Sequence, residues 1–460
     1  MNPRPNVVLI LADDLGYGDL ACFGNPLVRT PCLDQLCREG LSLTQHYSAS
    51  PLCAPARAAL LTGRYSHRLG AVDVPSNRGL DRMAPGERTI ADEFRSRGYV
   101  TGMVGKWHNG LHDPRHHPNA RGFQEFAGFL NGGMDYYQWV LDRNGRPELF
   151  DGRHLTDVLS HEAMGFIRRH WRQPFFLYLA YNAPHAPLQA PEPLIAHYRQ
   201  LGGLSEEVCC LYAMIEQMDA GIGQVLHTLD HFGLAENTIV LFTSDNGPWL
   251  QGGCARYNGP YRGGKGEVYE GGIRVPAILR WPGAVPAGRT WDQPVHFCDW
   301  LPTLLDMAKV NRTGELPLDG ISQAACLRRR LPLETPPPRC WQRNRYAPIE
   351  HCNAAVRDGN WKLVWPMRDG GDRKEPEDNL WYQRGLTSAH RFCAIDPTLP
   401  SWPIGPPAPP QLYDLEQDPG ETRNLADQHP DVVARLAAVG DAWFAEVSQQ
   451  WLAARARNLE

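Results

Sequence analysis

Four stretches of the chain are mainly apolar and six to eight residues long: 6–12 (NVVLILA), 99–104 (YVTGMV), 174–181 (PFFLYLAY) and 238–244 (TIVLFTS). Runs of this length, without polar alternation, predict strands buried on both faces. Between them the apolar positions recur at helical spacing. Helices are predicted over 34–40, behind Thr30-Pro31 and ending at Gly40, over 89–98, again stopping at glycine, over 155–170, and over 208–233, the longest. Strand and helix alternating in this way predict an α/β fold: a mixed, largely parallel sheet sandwiched by helices. Chemistry in such folds gathers beyond the carboxyl ends of the strands.

The pattern changes near Leu331. Residues 331–339 (LPLETPPPR) read as a linker, 353–365 as a hairpin turning at Asp358-Gly359, 366–410 as a long irregular loop, and 430–451 as an amphipathic helix. The expected organisation is an α/β domain over residues 1–335 and a C-terminal subdomain over 336–460, with a small antiparallel sheet and a terminal helix.

Composition narrows the classes of function. Apolar residues are 42% and charged residues 21% of 460, an ordinary globular balance, and 44 Gly with 40 Pro predict many shaped loops. The net charge of −5 provides no broad basic field, so neither a nucleic acid nor an anionic membrane is an expected partner. No apolar run approaches the ~20 residues that span a bilayer. No leader-like segment precedes residue 6, so the expected location is cytoplasmic, or periplasmic or exported if a signal peptide has been removed. The twelve cysteines form no CxxC pair and are expected to be mostly reduced, buried thiols.

The strand ends carry the candidate chemistry. Residues 6–12 lead into Asp13-Asp14 and residues 238–244 into Asp245-Asn246. Each pair alone could cap a helix or turn a loop; two pairs at two strand ends offer hard oxygen ligands for calcium or magnesium. Cys53, Pro55 and Arg57 form a C-x-P-x-R pattern ahead of a helical segment, where free backbone amides and Arg57 would favour an anion. A buried structural cysteine is the plain alternative. Lys106 and His108 follow the strand at 99–104, His185 follows that at 174–181, and Lys265 stands among glycines. Only five lysines occur in the whole chain, so two in these places imply a compact point charge.

Together these segments resemble the type I sulfatase family of the alkaline-phosphatase superfamily. NVVLILADDLGYGDLACFG, PLCAPARAALLTGR, GKWH, NAPHAP, TSDNG and GGKGEVYEGGIRVP stand in the family's order, and LYDLEQDPGETRNLA is similar to its C-terminal signature. The resemblance implies an alkaline-phosphatase-like fold and hydrolysis of a sulfate monoester. It implies that Cys53 is oxidised to formylglycine by a separate maturation enzyme reading Cys53, Pro55 and Arg57, and that Asp13, Asp14, Asp245 and Asn246 hold one calcium ion. Arg57, Lys106 and Lys265 would neutralise sulfate oxygens. His108 would orient the hydrated aldehyde and accept its proton, and His185 would protonate the leaving alcohol. Ala56 stands where family members often carry Ser or Thr, and Asn109 where Leu is commoner.

Substrate class is the finer expectation. His112, His116, His117, Asn119, Arg121 and Trp139 lie on loops after GKWHNG, and such polar and aromatic residues suit a sulfated saccharide. Arg121 could equally anchor its loop. Two rival readings are a phosphonate monoester or phosphodiester hydrolase of the same superfamily and a catalytically silent glycan-binding homologue. The complete set of candidate catalytic residues argues against the silent form.

Overall fold

The computed structural model describes residues 4–111, 113–329, 331–333, 335–388 and 396–460. Its centre is a ten-stranded sheet in which Asn6–Ala12 lies between Phe175–Ala180 and Thr238–Ser244, parallel to both. Val100–Lys106 extends it in parallel beyond Phe175–Ala180, followed by Glu125–Phe129. The four predicted strands are thus the sheet's core, and every residue of Asn6–Ala12, Phe175–Ala180 and Thr238–Ser244 is buried.

The margins are mixed. Ala277–Arg280 runs antiparallel to Thr238–Ser244, and Val140–Arg143 and Arg146–Leu149 close the far edge as an antiparallel ribbon. Helices cover both faces, among them Leu155–His170 and Glu206–His231 on one and the wholly buried Cys53–Thr62 on the other.

Residues 336–460 build a four-stranded antiparallel sheet, Arg339–Gln342, Ala354–Asp358, Trp361–Trp365 and Gln411–Asp414, and the helix Pro430–Leu459. Val356, Leu363, Trp365 and Leu412 join the same apolar cluster as Leu9, Leu60 and Leu241, so the small sheet packs into the large core. One expectation fails here. The stretch 366–410 is not wholly irregular, because Pro376–Ser388 is a helix. Its start has proline at the first turn with Glu377 and Asp378 behind it, a favourable helix opening. Most of its side chains stay at least partly exposed, so no broad apolar stripe marked it in the sequence.

Candidate active site

Both acidic pairs arrive at one sheet edge because their strands are neighbours in register, Ala12 beside Ser244. The Asp14 amide donates to Asp245 Oδ1 at 3.1 Å, and Asn246 Nδ2 donates to Asp14 Oδ1 at 2.7 Å. Asp14 adopts φ +63°, which turns the chain sharply off the strand and brings its carboxylate back over the edge.

Cations then fill the spaces between the carboxylates. Arg57, fully buried, donates from Nε and Nη2 to Asp245 Oδ2 at 2.9 and 2.8 Å and from Nη1 to the Lys106 carbonyl. Three of its five N–H groups are thus engaged within the protein, and through them Arg57 orients Asp245. Lys106 Nζ lies 2.6 Å from Asp13 Oδ2, and Lys265 Nζ 2.7 Å from Asp14 Oδ2.

Cys53 opens the buried helix Cys53–Thr62, whose N-cap Leu52 supplies no side-chain acceptor, leaving backbone amides free beside the thiol. Ligand atoms of Asp13, Asp14, Cys53 and His185 lie within 4.8 Å of one another. Burial would raise the Cys53 thiol pKa, but Lys106 and Lys265, aided by His108 and His185 beside it, hold it well below the usual thiol range. Burial and Lys265 likewise oppose a proton on His185; Asp13 and Asp14 outweigh them, and its pKa is raised. His185 is carried on a loop with cis peptide bonds before Pro184 and Pro187, and Tyr136 donates to its carbonyl at 2.9 Å.

His108 is fixed from two sides. Its Nε2 donates to the Val74 carbonyl at 3.2 Å, a bond that in the neutral tautomer makes Nδ1 the acceptor. The ring rests on Gly132 so tightly that a Cβ there would lie 2.6 Å from it. Asn109 donates to the carbonyl of Ala54 at 2.9 Å, tying the strand end to the first turn of the Cys53 helix. In place of the commoner Leu, Asn109 thus makes a specific link.

The donor set fits a hard divalent cation. Asp13 Oδ1 and Asn246 Oδ1 are buried oxygens without a hydrogen-bond partner, a costly arrangement unless something positive is bound. Burial and Asp13 also push the Asp245 carboxyl pKa up despite Arg57, as expected where three carboxylates crowd together.

The six predicted substrate residues fare differently. His112 lies outside the described residues. His116 is 0% exposed, with its ring pushed down to about 4 by burial and by Arg82 and Arg121, and its carbonyl accepts from the Trp107 indole. His117 faces Asp142 at 3.3 Å, and Asn119 bonds the Phe123 carbonyl and Asn144. Arg121 is buried against the carbonyls of Ala84 and Glu87, and Trp139 is buried against that of Arg153. The five described residues are engaged with their own loops and neighbours, which corrects the expectation that they contact a sugar, and Arg121 fits the alternative of a loop anchor. Sequence reasoning missed Tyr382, on the helix Pro376–Ser388, whose ring centre is 6.3 Å from that of His185.

Comparison with known proteins agrees with this geometry. The sulfatase family model matches residues 5–310. Steryl-sulfatase of Mus musculus is 33% identical over 96% of this chain and 81% of its own length. N-acetylgalactosamine-6-sulfatase of Homo sapiens is 36% identical over 69% of the chain and 65% of its own. Among solved structures, Ps i-CgsB in complex with k-i-k-neocarrahexaose superposes with TM-score 0.82 at 30% identity, covering 97% of this chain and 94% of the other. The phosphonate monoester hydrolase of Agrobacterium radiobacter, TM-score 0.64 at 21% identity over 99% and 96%, shares the fold. The fold is alkaline-phosphatase-like, and the chain belongs to the sulfatase family, as a hydrolase of sulfuric esters.

Proposed function

We propose that this sulfatase removes the sulfate from a saccharide sulfate monoester, using formylglycine formed from Cys53 and one calcium ion held by Asp13, Asp14, Asp245 and Asn246. The observation that carries the reading is the place of Cys53: a thiol 2% exposed, at a helix N-terminus, facing two lysines, two histidines and the carboxylate pair. A purely structural cysteine has no need of such surroundings. Oxygen-only ligands around unpartnered Asp13 Oδ1 and Asn246 Oδ1 match the preferences of calcium.

Maturation replaces the thiol and one Cβ hydrogen of Cys53 by a carbonyl oxygen, through a separate oxidising enzyme. Cys53, Pro55 and Arg57 are buried in the folded chain, so that enzyme meets them before folding is complete. Once hydrated, the aldehyde supplies the nucleophilic oxygen and a second hydroxyl for product release, and the cation supplies positive charge near the sulfate. The remaining work falls to the chain's own side chains. Lys106 and Lys265 stabilise negative charge on sulfate oxygens. His108 Nδ1, kept as an acceptor by the Val74 carbonyl, takes a proton at residue 53. His185 Nε2, 3.6 Å from Asp14 Oδ2, gives a proton to the leaving oxygen.

The saccharide assignment is supported by likeness over the whole chain to the neocarrahexaose-bound neighbour. Two measurements test the proposal. The peptide 51–57 from active enzyme should weigh roughly 18 Da less than its cysteine form, the signature of this oxidation. The values of kcat/KM should rank a sulfated saccharide above steryl and 4-nitrophenyl sulfates; the reverse order overturns the saccharide reading, and an unmodified, fully active Cys53 overturns the formylglycine one.

A further inference from the structure

The helix Pro376–Ser388 lies against the site and is pinned at both ends. In its first turn Asp378, 6% exposed, accepts from Asn77 Nδ2 at 2.8 Å, Arg78 Nε at 2.7 Å and the Tyr346 hydroxyl at 2.6 Å. In its last turn the Leu386 carbonyl accepts from the Asp135 amide at 3.1 Å, and Gly385 packs so closely that a Cβ there would lie 2.2 Å from the Asn131 amide nitrogen. What the middle of the helix presents is therefore fixed.

That middle presents Tyr382. Its ring meets His185 edge to face, and a Cβ on Gly133 would lie 2.5 Å from its hydroxyl. The hydroxyl is buried and, among the described residues, no group bonds it, although the residue as a whole keeps some exposure. It lies close enough to Lys265, Asp13, Cys53 and Asp14 to feel their charges. A buried hydroxyl left without a partner is destabilising, so its place beside His185 suits a ligand group that can pair with it.

We propose that Tyr382 is a specificity-determining residue: beside His185, its hydroxyl bonds a hydroxyl of the substrate adjacent to the sulfate ester and so favours a polyhydroxylated leaving group. This rests on the saccharide reading and deepens it. A sugar sulfated at a secondary ring carbon carries a hydroxyl on the adjacent carbon that can both donate and accept, as the phenol can. An aryl or steryl sulfate offers none there and would leave the Tyr382 hydroxyl buried and unpaired, the situation in which a polar site discriminates most strongly.

Tyr382→Phe tests this in the full-length, mature enzyme, because it removes the hydroxyl and keeps the ring against His185 and Gly133. With a monosaccharide sulfated at a secondary ring carbon and 4-nitrophenyl sulfate as paired substrates, kcat/KM is expected to fall at least about tenfold more on the sugar than on the aryl ester, chiefly through KM. Equal losses on both overturn the proposal, since the hydroxyl would then serve the sulfate group common to both. No loss on the sugar also overturns it, while wild-type turnover of that sugar keeps the saccharide reading standing. A wild type that cleaves the aryl ester but no saccharide sulfate overturns both, so the wild-type control separates the two failures.

Discussion

Two buried charge clusters sit within this molecule, built from similar side chains to opposite ends. In one, Asp13, Asp14 and Asp245 gather Arg57, Lys106 and Lys265. In the other, Glu270 and Glu421 share Lys362, whose Nζ is 2.9 Å from each, while Tyr47 and Arg274 also bond Glu270. Burial is alike, but satisfaction is not. Glu270 meets Lys362, Tyr47 and Arg274, and the Glu270 amide donates to Glu421 Oε2 at 2.6 Å; Glu421 Oε1 makes no aligned hydrogen bond, but Lys362 Nζ stands 2.9 Å from it, so each carboxylate of that cluster already has a cation against it. The first keeps Asp13 Oδ1, Asn246 Oδ1 and His108 Nδ1 without partners. Closed networks fasten parts of a fold together, and open ones wait for something else to bind. The closed cluster fastens the small sheet to the helix Glu270–Ile273, just beyond Lys265, and Asn353 adds a bond from its Nδ2 to the Gly266 carbonyl at 2.8 Å.

The largest contrast concerns Cys53. Cys53→Ala should abolish sulfate-ester hydrolysis, by on the order of 10⁵-fold or more, because no other side chain replaces a covalent nucleophile. The melting temperature should hardly change. Measurable turnover in enzyme purified away from host sulfatases would break the nucleophile assignment.

A paired substitution probes the comparison itself. Lys265→Ala should cost about 10²–10³-fold in kcat, the usual loss when one preorganised charge is removed, with stability largely kept. Lys362→Met should do the reverse. It leaves Glu270 and Glu421 buried side by side without their ammonium, a cost of about 3–5 kcal/mol in unfolding free energy, while kcat at a temperature where the variant is folded stays near wild type. Denaturant melts and steady-state rates on the two variants check both; crossed results would show that the division between open and closed clusters is mistaken.

A smaller effect is expected from metal removal. Chelation should lower the melting temperature, calcium should restore it, and at a hundredfold excess over Kd the gain should be about 2.7 kcal/mol. Asp13→Asn should abolish the calcium response in the same melting assay. A wild-type melting curve indifferent to chelator and calcium would remove the cation from the open cluster.

How much of this the sequence disclosed depended on the kind of signal. Strands buried on both faces write themselves as apolar runs, and because each acidic pair directly follows such a run, a common sheet edge was legible in the chain; that Ala12 and Ser244 end neighbouring strands came from the structure. Short marginal strands such as Leu41–Leu43 and Arg289–Trp291 carry no such run. Pairings set by tertiary packing left no trace either: Lys362 meets carboxylates 92 residues before it and 59 after it, at Glu270 and Glu421. The proposed sugar-binding residues failed for a related reason. A histidine or arginine in a loop suits a sugar hydroxyl and an internal anchor equally well, and only packing separates the two: His116 and Arg121 are buried, Arg121 against backbone carbonyls. Tyr382 was invisible because its helix shows no continuous apolar face.

The last and smallest effect lies in a buried group belonging to neither cluster. His46 is 0% exposed, burial pushes its pKa down to about 3, and its Nε2 accepts from the Trp300 indole at 2.8 Å, which requires the neutral ring. The unfolded chain binds this proton near pH 6.5 and the folded chain does not, so the unfolded state holds more protons between those values. Stability is therefore complete above about pH 6.5 and declines as pH falls toward 3. At pH 5.5 this one residue should cost about 1.4 kcal/mol relative to neutral pH. His67, pushed down to about 4 by burial, adds a similar amount. His46→Gln offers an amide oxygen to Trp300 without the titration, so the difference in unfolding free energy between pH 7.5 and 5.5 should shrink by about 1.4 kcal/mol in that variant. An unchanged difference would mean that the folded ring takes up its proton over the same range as the unfolded one, so that burial does not keep it neutral.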